Sequence, residues 1–212
     1  SLSTVLGANI YNNFSEFNNP SYSELPHVRS DIQSYLKEGQ TNIARMKLDY
    51  IWTPFKDIYT RVDIGLLEEM FGGVGGEILY RPFDKRYAIG LVAHHVKQRE
   101  YRQRFGFRDY ETFTGHLEAY YEMRNGINLA LMAGKYLAGD KGATFDVSRR
   151  FKSGFRLGIF ATKTNVPKEI FGEGTFDKGF YFSIPTQMFL PNYETGTIGF
   201  GMHPLTKDGG AL

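Results

Sequence analysis

No cysteine occurs among the 212 residues, which excludes a disulfide framework and a thiolate metal site. No apolar run approaches the roughly 20 residues that a membrane-spanning helix needs. That absence leaves strands open as membrane-crossing elements, because barrel strands hide their apolar residues in alternation. Charge of one sign is also lacking. Lys and Arg number 25 against 23 Asp and Glu, and a net +2 is too small to point to a nucleic-acid partner. No signal peptide is visible, and no repeat recurs at a solenoid or propeller period. The chain opens at SLSTV without Met and ends at GGAL, so it reads as an excerpt or processed piece of something longer.

Aromatics and glycine are abundant instead, with 14 Tyr, 18 Phe and 24 Gly. That mixture suits long antiparallel strands, tight turns and the aromatic girdles of outer-membrane barrels. The stretch Tyr110 to Met123 shows the pattern most fully. Tyr110, Thr112, Thr114, His116, Glu118, Tyr120 and Glu122 form one alternating set, polar or amphipathic throughout. Glu111, Phe113, Gly115, Leu117, Ala119, Tyr121 and Met123 form the other, mostly apolar. A strand with one wet and one oily face follows, because side chains alternate across the pleat.

The same alternation recurs along the chain. Arg45, Lys47 and Asp49 oppose Met46, Leu48, Tyr50 and Trp52, and Pro54 marks a turn. Arg61 and Asp63 oppose Thr60, Val62, Ile64 and Leu66. Gly72, Gly73, Gly75 and Gly76 are expected to separate two strands, the second running from Glu77 to Phe83. Further strands are expected over residues 3–13, 86–99, 127–137, 143–151, 155–163, 178–184 and 195–202. Turns at 84–85, 124–126, 139–142 and 152–154 join some of them. One helix is expected over Val28 to Lys37, stopped by Gly39. The fold class is therefore all-β, an antiparallel meander of ten or eleven strands forming an outer-membrane β-barrel or part of one. The expected division is a first strand, loop and short helix over 1–40, then a barrel segment over 41–212.

Motifs for chemistry are weak. GGVGGE lacks the Lys-Ser/Thr of a phosphate loop. His94 and His95 are adjacent and face opposite sides of a strand, while His27, His116 and His203 stand alone, so no metal site is expected. Glu118 and Glu122 are about 13 Å apart along a strand, beyond the spacing that glycoside hydrolysis needs. Glu68, Glu69 and Glu77 flank the glycines with nothing to mark a catalytic partner. In FGEGTFDKG (171–179), Gly172, Gly174 and Gly179 suggest a fixed loop that turns Glu173 and Asp177 to solvent.

Five phrases carry a family resemblance: LPHVRSDIQSYLKEG (25–39), LLEEMFGGVGGEILYRPF (66–83), FRDYETFTGHLEAYY (107–121), GKYLAGDKGATFDVSRRF (134–151) and FGEGTFDKGFYFSIP (171–185). They resemble the YjbH family of exopolysaccharide-biosynthesis proteins, related to the capsule protein GfcD. The resemblance implies a Gram-negative outer-membrane β-barrel, often a lipoprotein, encoded with polysaccharide-secretion genes. Members are much longer than this chain, so it would be a C-terminal part of one, without the lipidated start. The GGAL end also departs from the terminal aromatic strand that barrel assembly uses. No catalytic residue is carried over.

The expected function is thus non-enzymatic support of exopolysaccharide or capsule export. Expected partners are membrane lipid, polysaccharide and other secretion proteins, with no cofactor. Arg45, Lys47, Arg61, Tyr110, His116, Glu118, Tyr120 and Arg150 are the candidate glycan contacts on the polar face. Met46, Leu48, Tyr50, Trp52, Phe113, Leu117 and Tyr121 are the candidate lipid-facing residues. The plainer reading of the polar face is a set of ion pairs that only holds neighbouring strands together. Two other functions fit the same pattern: a barrel that docks partners without touching glycan, and a soluble carbohydrate-binding β-sandwich.

Overall fold

Side chains that alternate in polarity along a strand must separate two environments, and one continuous sheet does this here. The computed structural model describes residues 1–12, 24–167, 176–188, 196–202 and 208–212. Eleven strands are hydrogen-bonded in chain order. They are β1 (Leu2–Ala8), β2 (Thr41–Phe55), β3 (Ile58–Leu66), β4 (Phe71–Tyr80), β5 (Tyr87–Arg99), β6 (Phe107–Glu122), β7 (Ile127–Lys135), β8 (Lys141–Arg150), β9 (Arg156–Thr164), β10 (Asp177–Pro185) and β11 (Thr197–Met202). Every neighbouring pair is antiparallel. One helix, α1 (Ile32–Glu38), lies between β1 and β2. The expected all-β meander with a short helix near its start is therefore the observed fold. β1 and β11 form the two edges, and the sheet is not closed between them.

Register turns alternation into two faces. Leu48, Ile64, Val74, His95 and Phe113 stand in one cross-strand row. Trp52, Thr60, Ile78, Leu91, Leu117 and Ala133 form a second row on the same face. Leu129, Val147, Ile159, Phe180 and Met202 extend that face to the far edge. The opposite face carries Asp49, Asp63, Gly75, His94 and Thr114 in one row, and Met132, Thr144, Thr162 and Asp177 in another. Burial is reversed relative to a protein folded around an oily core. Leu117 and Ile159 are 58% and 59% exposed, whereas Asp63, Thr144, Ser148 and Thr162 are each 2% exposed.

The sheet curls so that its polar face lies inside. Val5 on β1 and Arg45 on β2 border the same cavity as Met132, Asp146, Phe160 and Asp177 on β7 to β10. A second cavity runs from Glu77 on β4 to Thr197 on β11.

The glycine cluster departs from the sequence reading. Gly72, Gly73, Gly75 and Gly76 do not separate two strands; all four lie within β4. A Cβ at Gly75 would overlap the His94 ring, and one at Gly73 would overlap the His95 carbonyl oxygen. These glycines thus let β5 and its inward histidine approach β4 closely. Pro54 likewise lies inside β2, beside a register shift between Trp52 and Phe55, and the turn follows at 56–57. α1 begins at Ile32 rather than Val28, and Gly39 ends it by donating its N–H to Tyr35 O. Residues 13–23 of the expected loop, the 171–175 part of FGEGTFDKG and the isolated His203 fall outside the described residues.

One end of the curled sheet is packed by apolar side chains. Val28 and Tyr35 from the helical segment meet Met70, Phe71, Val96, Leu137 and Ala138 from the strand links and ends. Beside them Arg99 is completely buried. Its guanidinium donates to the carbonyls of Glu68 at 2.7 Å, Ile43 at 2.8 Å, Gln103 at 2.7 Å and Arg104 at 3.1 Å. Tyr35 Oη donates to Arg99 O at 2.6 Å, which fastens α1 to the same point. Asp208 accepts from Arg29 N, Ser30 N and Ser30 Oγ at 2.7, 2.9 and 2.8 Å, and this draws the segment 208–212 onto the helix. Arg99→Met keeps much of the volume but leaves these carbonyls unsatisfied, and should cost about 3 kcal/mol. Denaturant unfolding of the refolded protein measures this, and an unchanged midpoint would remove Arg99 from its place at the hub.

Candidate functional site

The polar face forms a chain of paired groups. Asp49 and Asp63 stand directly opposite each other on β2 and β3, an arrangement that repels unless cations intervene. Lys47 pairs with Asp49 at 2.9 Å, and His94 approaches Asp63 at 3.2 Å. Arg61 reaches Glu77 on β4 at 3.2 Å. Its Nε lies 3.5 Å from Asp63 Oδ2 without forming a hydrogen bond, so attraction there is between charges alone. Further round, His116 sits edge-on to Tyr136 with ring centroids 4.7 Å apart. Hydroxyls then continue from Tyr136 to Thr144 and from Thr144 to Thr162, each 2.7 Å. Tyr181 donates to Asp146 at 3.0 Å, and Arg156 donates to Ser148 at 3.0 Å and to Tyr181 Oη at 3.2 Å.

The polar candidates divide by position. Tyr120 and Arg150 line the larger cavity, of about 1190 Å³, at the end where links 81–86, 123–126 and 151–155 turn the chain. Arg45 lines the other cavity, of about 750 Å³, toward the packed end. Lys47 and Arg61 are committed to the ion pairs above. Glu118 accepts a hydrogen bond from Tyr120 Oη. His116 is 6% exposed, with no hydrogen-bond partner on Nε2. Tyr110 donates to Leu137 O at 2.6 Å and packs edge-on to Phe71, so its ring belongs to the packed end. The structure therefore gathers Tyr120 and Arg150 at one mouth and holds Tyr110 and Arg45 apart from them. All seven apolar candidates share the outer face, where Leu48, Tyr50, Trp52, Phe113, Leu117 and Tyr121 are exposed and Met46 is half-buried.

The cavity also contains groups outside the candidate set. Glu77, Arg81, Arg86, Asn128, Lys152, Arg156 and Ser183 all line it. Alternation marks Arg156 and Asn128, each lying between two apolar residues, Phe155 and Leu157 for the first and Ile127 and Leu129 for the second. Arg81 and Arg86, expected within strands over 77–83 and 86–99, lie in the link between β4 and β5, and Lys152 lies in the link after β8. Among the described residues no three His, Asp or Glu side chains are placed to hold a metal ion.

At the packed end the helix is clamped by one carboxylate. Asp31 occupies the N-cap position of α1 but makes no cap hydrogen bond. Its carboxylate instead accepts from Tyr101 Oη at 2.7 Å and Arg108 at 2.9 Å, and lies 2.8 Å from His27 Nδ1. Burial tends to raise its pKa, but these partners hold it below the ordinary 3.8. Burial together with the carboxylate pushes the Tyr101 hydroxyl up to about 12.

A family model described as "Exopolysaccharide biosynthesis protein YbjH", that of the YjbH family, matches residues 1–212. The "Uncharacterized lipoprotein YjbH" of Escherichia coli (strain K12) is 41% identical over 213 residues, covering 97% of this chain and 30% of that protein. The chain thus spans about a third of the length of the curated relative it matches. No solved structure matches it.

The Asp31 clamp has a pH signature. Its stabilisation is fully present above the ordinary carboxylate pKa and is lost as pH falls through the lowered folded-state value. Proteolysis of the helical segment should therefore accelerate in acid below about pH 4. Asp31→Ala should loosen the segment by about 2 kcal/mol at neutral pH and abolish that acid response. An acid response that survives in the variant would assign it to another group.

Proposed function

The chain belongs to the YjbH family of exopolysaccharide-biosynthesis proteins, and on that premise we propose that it is a segment of an outer-membrane β-barrel supporting exopolysaccharide export or assembly without catalysis. Its polar inner face and the short-turn mouth guide the glycan, while the outer face meets lipid. One observation carries this reading: a single antiparallel sheet exposes a continuous apolar face and buries its polar one. In water that arrangement loses free energy at about 25 cal/mol per Å² of exposed apolar surface; in a bilayer it does not. Apolar residues such as Leu48, Ile64 and Val74, and Phe113 beyond His95, recur across consecutive strands of the outer face, as an apolar band around a barrel requires.

The partner-docking alternative shares this geometry and differs only in what enters the mouth. A sandwich would place the apolar faces of two sheets against each other. The continuous order β1 to β11, with Leu117 and Ile159 exposed on its outer face, favours lipid instead.

Fractionation of the full-length protein tests the reading. We expect recovery with the outer membrane and faster gel migration without heating. Leu117→Arg on the outer face should cost about 2–4 kcal/mol of stability in lipid, against under about 1 kcal/mol for Asn128→Arg in the cavity. A soluble, heat-insensitive product, or equal costs for the two substitutions, would refute lipid contact.

A further inference from the structure

The cavity at the short-turn end is basic, and among the described residues its lining carries more cations than carboxylates. Arg81, Lys85 and Arg86 enter from the β4–β5 link, Arg150 and Lys152 from the end of β8 and its turn, and Arg156 from β9. Against these six cations the lining supplies three carboxylates, Glu77, Glu122 and Asp146. One of the three, Glu77, is paired with Arg61 at 3.2 Å, while Asp146 accepts from the Tyr181 hydroxyl at 3.0 Å and keeps its charge, so the cations still outnumber the carboxylates. Lys85 is held by Asp84 at 3.2 Å. Among the described residues Arg81, Arg86, Arg150 and Lys152 meet no carboxylate within ion-pair distance.

Deeper on the inner face Lys47 pairs with Asp49 and Arg61 with Glu77. Four unmatched cations around one concave volume repel each other and concentrate a positive potential there. Such a lining selects an anion. The cavity, at about 1190 Å³, exceeds the roughly 300–1,000 Å³ of pockets for drug-sized ligands and has room for a polymer segment. Asn128, Ser183, Gln187 and Thr197 add amide and hydroxyl groups suited to sugar hydroxyls. Arg156 stacks over the Tyr181 ring at 5.4 Å, which leaves it oriented before any ligand arrives.

We propose that the short-turn mouth binds an acidic polysaccharide, with sugar carboxylates held by Arg86, Arg150 and Lys152 and assisted by Arg81. This rests on the glycan-guiding reading above and narrows it to a charge class. An acidic peptide offers the same carboxylates, but the hydroxyl and amide lining favours sugar.

The test uses the full-length protein purified from the outer membrane. Its probes are oligogalacturonate, a neutral maltooligosaccharide of equal length and polyglutamate, with binding followed by calorimetry at two salt concentrations. Oligogalacturonate should bind best and weaken with salt, and the Arg86→Gln/Arg150→Gln/Lys152→Gln protein should lose about tenfold or more in affinity. Heat-modifiability of that variant checks that the barrel has folded; if it has not, the single Lys152→Gln protein, altered only in an exposed turn, should still lose affinity measurably. Equal binding of the neutral and acidic sugars would overturn the charge inference and leave glycan guiding intact. Preference for polyglutamate would overturn it in favour of peptide docking. Binding of no sugar by the folded protein would overturn both the site and the reading beneath it.

Discussion

Everything in this fold depends on which side of one sheet is turned inward. A strand that alternates polar and apolar residues can bury either face, and the choice decides what the molecule is. Here the inward face holds Asp49, Asp63, Arg61, Glu77 and His94, which satisfy much of one another's charge. The outward face holds Leu48, Ile64, Phe113, Leu117 and Ile159, more than half exposed. Buried charges are tolerated only when paired and hydrogen-bonded, and the inner rows meet much of that requirement both along strands, Lys47 with Asp49, and across them, Arg61 with Glu77. The small residues fall where this arrangement needs room. Gly73 and Gly75 give the backbone and ring of β5 space against β4, so the row from Asp63 to His94 can close.

The two ends of the curled sheet do different work. One is filled by α1, the apolar residues around Phe71 and the buried Arg99, whose guanidinium collects carbonyls from the β3–β4 link, the β5–β6 link and the start of β2. The backbone carbonyls at strand ends would otherwise be buried without donors, and one planar cation with five N–H groups serves several at once. The other end is left open between turns and carries the unmatched basic side chains. A blocked end and a charged, open end give the interior a direction, which a polymer-handling protein can use and a simple staple does not need.

Much of this was legible because alternation survives in a single sequence. The polar set around Thr112, Thr114, His116 and Glu118 and the apolar set around Phe113 and Leu117 lie on opposite faces, as their spacing requires. Period-two reasoning failed where small residues carry no polarity to alternate. Gly72 to Gly76 resembled a linker, yet these positions are glycine because the neighbouring strand comes close. Long-range packing was equally invisible. Nothing in the local pattern says that Tyr110 turns its hydroxyl to Leu137 or that Arg99 is buried among carbonyls. The mouth was read only in part, because Arg81, Arg86 and Lys152 sit in links and converge through curvature rather than through strand periodicity.

The central claim is that the outer face meets lipid and the inner face meets water. Nitroxide labels placed singly at Leu48, Leu117 and Ile159, and at Asn128, Arg150 and Ser183, in the full-length protein reconstituted in bilayers test it most directly. We expect the first three to collide with dissolved oxygen and be shielded from a water-soluble nickel complex, and the second three to do the reverse. Equal access of the nickel complex to both sets would contradict it.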